Sequence, residues 1–103
     1  MAQNTGSVFT TQAVNTPAIV SAATALAANT NRLAWSIQNL GTNPLFVLRG
    51  TNASTTVFHT VLKAGTGQDD GSGGVISEEA GTVYNGIITI AGTSPRYVVT
   101  ELG

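Results

Sequence analysis

Charge is what this chain has least of. Only 9% of its 103 residues are Asp, Glu, Lys or Arg, against roughly a quarter in soluble globular proteins. From Met1 to Asn31 there is no charged residue and no histidine, and the first charge is Arg32. With Arg32, Arg49, Lys63 and Arg96 as the whole set of fixed cations, no basic patch can release many counterions from a nucleic-acid backbone, which argues against direct DNA or RNA binding. Cysteine is absent, and with it go disulfides, Fe–S clusters and thiol catalysis. The single histidine, His59, excludes any site that needs two imidazoles. No stretch approaches the roughly 18 apolar residues of a membrane-spanning helix, and the N-terminus has neither the basic region nor the apolar run of a secretory signal. The expectation is a protein that is made in a cytoplasm and stays soluble, with no membrane partner and with the Asn52-Ala53-Ser54 sequon unused.

Thr, Ser, Asn and Gly do the polar work instead. They hydrogen-bond well but generate little repulsion between molecules, and a net charge of −1 favours association over dispersal. Size sets the other bound. A sequence this long makes about one domain and buries roughly two-thirds of the surface its unfolded form exposes.

Met1–Thr16 mixes small polar and β-branched residues and reads as an extended N-terminal arm, with the domain proper spanning residues 17–103. Ala18–Ala28 is ambiguous between an Ala-rich helix and a strand, and a strand near Ala18–Thr24 is preferred. Leu33, Trp35 and Ile37 alternate with polar or small residues, the pattern of a half-buried strand with those three on the core face. The turn Gly41-Thr42-Asn43-Pro44 leads into Leu45–Arg49, and the two runs together predict a hairpin. Further strands are expected at Thr56–Leu62, Val75–Ser77, Val83–Ile90 with Gly86 as a bulge, and Arg96–Leu102. Short strands at roughly ten-residue spacing, punctuated by Gly, Pro and Asn, predict an all-β fold: a compact antiparallel β-sandwich or jelly-roll-like domain.

The stretch most like a site is Gly65–Gly74, GTGQDDGSGG. Its glycines miss the dinucleotide spacing and no helix follows to receive a phosphate. Asp69 and Asp70 are adjacent, whereas a calcium loop needs acids at alternate positions and a late Glu. The reading is a flexible or packing loop, whose Gly and Ser content predicts a backbone free to reach. His59 stands without a nucleophile-elbow pattern among the many Ser and Thr. Glu78 and Glu79, as neighbours in a strand, point to opposite faces and cannot cooperate. Trp35, Tyr84, Tyr97, Phe9, Phe46 and Phe58 fit core and strand positions better than a sugar-stacking platform. No catalytic, cofactor-binding or metal-ligating residue is assigned, no cofactor is expected, and the protein is read as non-enzymatic.

An isolated β-domain protects its edges with charge, proline or bulges, and this sequence has little charge for the purpose. Its edges and faces are therefore expected to be covered by other subunits, with the arm adding as a strand to a neighbour.

The segments RLAWSIQNLGTNPLFVLRG (Arg32–Gly50), TTVFHTVLKAGTGQDDGSGG (Thr55–Gly74) and GIITIAGTSPRYVVTEL (Gly86–Leu102) resemble small accessory virion proteins of tailed bacteriophages. The resemblance is one of texture and segment order and carries no binding residues across. It implies a capsid decoration or cement protein on the major capsid lattice, a homo-oligomer for which a trimer fits, located in the virion after assembly in the host cytoplasm. A collar, tail or fibre-attachment component is the alternative within the virion. A carbohydrate-binding adhesion module is the alternative of another class.

Overall fold

A computed structural model describes residues 9–15, 20–79 and 81–103, of which 9–15, 20 and 21 enter as strand backbone alone. Eight strands are formed among them: β1 (Phe9–Asn15), β2 (Val20–Leu26), β3 (Ala34–Asn39), β4 (Leu45–Arg49), β5 (Thr60–Leu62), β6 (Val75–Glu78), β7 (Ile88–Gly92) and β8 (Tyr97–Leu102). There is no helix among the described residues. One sheet has the order β1-β8-β3-β6 and the other β2-β7-β4-β5, with every pairing antiparallel.

The order has a simple origin. β1 pairs with β8, β2 with β7, β3 with β6 and β4 with β5, so the polypeptide folds back on itself as one long double strand. Successive rungs alternate between sheets, and the cross-pairs β3–β8 and β4–β7 lock the winding. This is the jelly-roll form of the β-sandwich that the strand spacing predicted.

Alternation builds the core. In β3 the buried positions are Trp35, Ile37 and Asn39, and in β8 they are Tyr97, Val99 and Glu101; these form the inner face of the first sheet. Leu26, Leu45, Val47, Leu62, Ile88 and Ile90 face them from the second. Full burial of a large apolar residue contributes about 1.5–3 kcal/mol relative to exposure, so the core rests on these two rows.

Several expectations are corrected. Phe9–Asn15 is extended as expected, yet it runs along Tyr97–Leu102 of its own subunit, so the sandwich begins at Phe9 rather than at residue 17; residues 1–8 and 16–19 lie outside the described residues. β3 and β4 do not form a hairpin, because Gly41–Pro44 takes the backbone from one sheet to the other. Leu33 precedes its strand and is exposed. The strand expected at Thr56–Leu62 shrinks to Thr60–Leu62, because the preceding loop folds over the outer side of the second sheet. There Ala53 is buried, its N–H donates to Thr89 Oγ1 at 3.2 Å, and the Thr89 hydroxyl donates to the Gly50 carbonyl at 2.7 Å. That cover explains why β7 is buried on both faces. Val83–Ile90 is not one strand either: residues 82–87 form a loop, and β7 starts at Ile88.

Candidate interaction surface

The Gly65–Gly74 loop is a tied connection. Gly65 N–H donates to the Gly41 carbonyl and Asp69 N–H to the Leu40 carbonyl, both at 2.8 Å, while Asn39 N–H donates to the Gly74 carbonyl at 2.9 Å. The buried Asn39 carboxamide adds a clasp. Its Nδ2 donates to the carbonyls of Asn43, Leu62 and Lys63 at 2.8–3.2 Å, and its Oδ1 accepts from Gly41 N–H at 2.9 Å. Gly73 lies so close to Asn39 that a Cβ there would overlap the Asn39 carbonyl. Close approach, and not reach, is what the glycine provides.

The two adjacent acids of this loop are both occupied. Asp69, in the left-handed region at φ 61° that Asp tolerates better than most residues, accepts from Arg96 Nε at 2.7 Å and Nη2 at 2.9 Å. That hydrogen bonding holds its pKa below the usual value. Asp70 turns back into its own loop and accepts from the Ser72 hydroxyl at 2.5 Å, Ser72 N–H at 2.9 Å and the Thr66 hydroxyl at 2.9 Å. Ser72's hydroxyl and N–H, with Thr66, lower its pKa to about 2. The carboxylates diverge, and among the described residues no group of three or more His, Asp or Glu converges to hold a metal ion.

Glu78 is the last residue of β6 and Glu79 lies beyond it, exposed. Glu78 turns inward and accepts from Trp35 Nε1 at 2.7 Å, Tyr84 N–H at 3.0 Å and Arg49 Nε at 2.7 Å. Burial pushes its pKa up, but the hydrogen bonds from Tyr84, Arg49 and Trp35 outweigh that and leave it below the ordinary value. His59 lies nearby; its Nδ1 is 2.5 Å from the Thr60 hydroxyl, and its Nε2 is buried without a hydrogen-bond partner among the described residues. Burial, then the Arg49 charge, lower its pKa, with Glu78 opposing. The imidazole's contact is the hydroxyl of the very next residue, and no carboxylate among the described residues hydrogen-bonds it.

Sequence reasoning missed Arg32 and Glu101. Arg32 is buried, and its Nε donates to Glu101 Oε2 at 2.7 Å. Nη1 donates to the carbonyls of Tyr84 at 2.8 Å and Gly86 at 3.0 Å, and Nη2 to that of Ala27 at 2.6 Å. One guanidinium thus closes one end of the sandwich, gathering the β2–β3 and β6–β7 loops onto β8. A signal was present: Glu101 falls in phase with the core residues Tyr97 and Val99, and a carboxylate in that register needs a buried partner.

All three arginines are therefore engaged internally, with Glu101, Glu78 and Asp69. Among the described residues Lys63, Asp70 and Glu79 remain outside these ion pairs, and Asp70 is bound up in its loop. The exterior is more neutral than the composition implies. On the outer face of the first sheet the paired positions of β6, β3 and β8 are Val75, Gln38 and Val98, then Ser77, Ser36 and Thr100. None is charged. On the second sheet an apolar patch stands at the β4–β5 edge, where Val57, Phe58 and Val61 are 51%, 40% and 44% exposed. Phe58 packs on Phe46 with ring centroids 5.1 Å apart and planes at 59°, a tilted aromatic pair. Among the described residues β5 pairs with β4 alone and leaves its other edge open.

The sequence matches no protein-family model, no curated protein and no solved structure.

Proposed function

We propose that this is a non-enzymatic structural protein of a tailed-phage virion, a decoration or cement protein that seats on the major capsid lattice as a small homo-oligomer. The observation that carries the reading is the disposition of charge: the arginines are used to fasten the fold, leaving neutral sheet faces and an uncovered Val57–Phe58–Val61 patch beside an open strand edge. Apolar side chains on an open edge are a hazard for a solitary protein and an asset for one covered by a neighbour. Burial of that surface on a lattice stabilises the bound form by mass action. Jelly rolls recur in viral capsid domains, which agrees with the assignment but does not carry it, because one fold hosts many functions.

The test is co-sedimentation with capsids of the encoding phage that lack the protein. The wild-type protein is expected to travel with the particles, and a Val57→Glu/Val61→Glu double variant with unchanged thermal stability is expected to stay behind. Wild-type protein that remains in the supernatant, or a double variant that binds fully, overturns the proposal. Binding to purified collars or tails in place of capsids moves the protein to that position in the virion.

A further inference from the structure

Asn85-Gly86 is the one Asn-Gly pair in the sequence; the other asparagines precede Thr, Arg, Leu, Pro or Ala. It lies in the loop before β7, where Asn85 is exposed. Among the described residues the Asn85 carboxamide makes no hydrogen bond and the Gly86 N–H is likewise unpartnered. The carbonyls of Tyr84, Asn85 and Gly86 are all engaged, the outer two by Arg32 Nη1 and the middle one by Asn29 N–H at 2.8 Å. A free carboxamide thus sits one residue before a free backbone amide, at a glycine whose missing Cβ makes room for the Tyr84 phenol ring.

We propose that Asn85 is a site of spontaneous covalent modification, converting through a cyclic imide to aspartate and isoaspartate. The Gly86 amide nitrogen attacks Asn85 Cγ and forms a new bond to it, while the bond from Cγ to Nδ2 breaks. Ammonia departs, carrying the proton that the Gly86 nitrogen gives up. Water then adds to one of the two imide carbonyls and reopens the ring. Opening at one carbonyl yields aspartate; opening at the other yields isoaspartate, whose backbone runs through the former carboxamide carbon and is one methylene longer. No redox partner or enzyme is required.

The surrounding contacts set both the rate and the consequence. Ring closure needs rotation about the Asn85 backbone, which the grip of Arg32 and Asn29 resists, so reaction proceeds through local opening of this loop. Either product adds one negative charge to a protein whose net charge is −1. The isoaspartate product also lengthens the path between the Tyr84 and Gly86 carbonyls, the two acceptors that Arg32 Nη1 spans. The modified protein therefore loses part of the clamp that closes this end of the sandwich.

The experiment is ageing of the folded, full-length protein in mildly alkaline buffer, followed by peptide mass spectrometry that distinguishes aspartate from isoaspartate. Conversion at Asn85 is expected to exceed that at every other asparagine several-fold, to accelerate in sub-denaturing urea, and to be accompanied by a falling Tm. An Asn85→Gln variant, which cannot readily close the five-membered ring, is expected to keep its Tm through the same ageing. Asn85 remaining intact, or converting no faster than the other asparagines, overturns the proposal. A Tm that falls equally in Asn85→Gln overturns the claimed consequence for the clamp.

Discussion

The Trp35 indole N–H donates to Glu78 Oε1 at 2.7 Å across directly paired positions of β3 and β6. The same carboxylate binds Arg49 at the end of β4 in the opposite sheet, so one acid satisfies a buried indole and ties the two layers together. Replacing Glu78 by Ala orphans the indole N–H at a residue only 2% exposed and is expected to cost about 1–3 kcal/mol. Glu78→Gln, which keeps an acceptor oxygen, is expected to cost less. Denaturant midpoints of the two variants measure the difference, and equal losses would refute the role given to the indole bond.

Arg32 and Glu101 form the most buried ion pair, with side-chain exposures of 0% and 9%. Arg32→Met removes the guanidinium's bond to Glu101 together with its contacts to the Ala27, Tyr84 and Gly86 carbonyls and is expected to cost about 3–5 kcal/mol, whereas Arg32→Met/Glu101→Leu is expected to recover part of that loss because the buried carboxylate that lost its Arg32 bond is removed as well. Chemical denaturation of the single and double variants gives the comparison. A double variant less stable than the single one would contradict it.

Tyr97 is buried in the core, and its hydroxyl has no hydrogen-bond partner among the described residues. Burial raises its pKa. Tyr97→Phe removes an unsatisfied polar atom without removing a contact, so stability is expected to stay level or rise by up to about 1 kcal/mol. A scanning calorimetry trace showing a marked fall in Tm would reveal a partner for that hydroxyl.

Acid weakens the fold in two steps, the upper from His59 and the lower from the carboxylates whose pKa values folding lowers, Glu78 together with Asp69 and Asp70. His59 has a folded-state pKa below its ordinary 6.5, so folding favours the neutral imidazole; stability is full above that value and declines as pH falls from it toward the folded-state pKa. Glu78 has a folded-state pKa below its ordinary 4.5, so its contribution is present above that value and is lost as pH falls through the folded-state pKa. His59→Gln is expected to abolish the upper step alone. Denaturant midpoints across the pH range test this, and an unchanged upper step in the variant would remove His59 from the account.

Gly73→Ala places a methyl group into the Asn39 carbonyl. Backbone on both sides must shift, and the expected cost is on the order of 1–3 kcal/mol. Hydrogen exchange is expected to quicken at the Asn39 and Gly65 amides, which hold the loop to β3 and its turn. Protection unchanged at both amides would mean that the loop is not fastened there.

Strand runs with strong alternation were legible. Trp35 and Ile37 in β3 lie where their alternation put them, and the apolar run Leu45–Arg49 and the Arg96–Leu102 run form the strands expected of them, within a residue at one end, because period-two burial and strand propensity are local properties of the sequence. Thr56–His59 and Val83–Ile87 misled for the opposite reason. Their β-branched and aromatic residues suit a strand, but the first segment belongs to the loop that covers Thr89 and the second is drawn into the Arg32 clamp. Propensity there yields to tertiary contact. The loop at Gly65–Gly74 was legible as a connection and illegible as a fastened one, because its partners at Leu40 and Gly41 are distant in sequence.

By itself the sequence determined the all-β class, the scarcity of charge, and the absence of thiol or paired-imidazole chemistry, since composition and alternation act residue by residue. Only the tertiary structure decided which strands pair, that Phe9–Asn15 lies on β8 of its own subunit, and that each arginine is matched to an acid. Those outcomes depend on contacts between residues far apart in the sequence, such as Arg32 with Glu101, whose energies are settled only when the two sheets close over a common core.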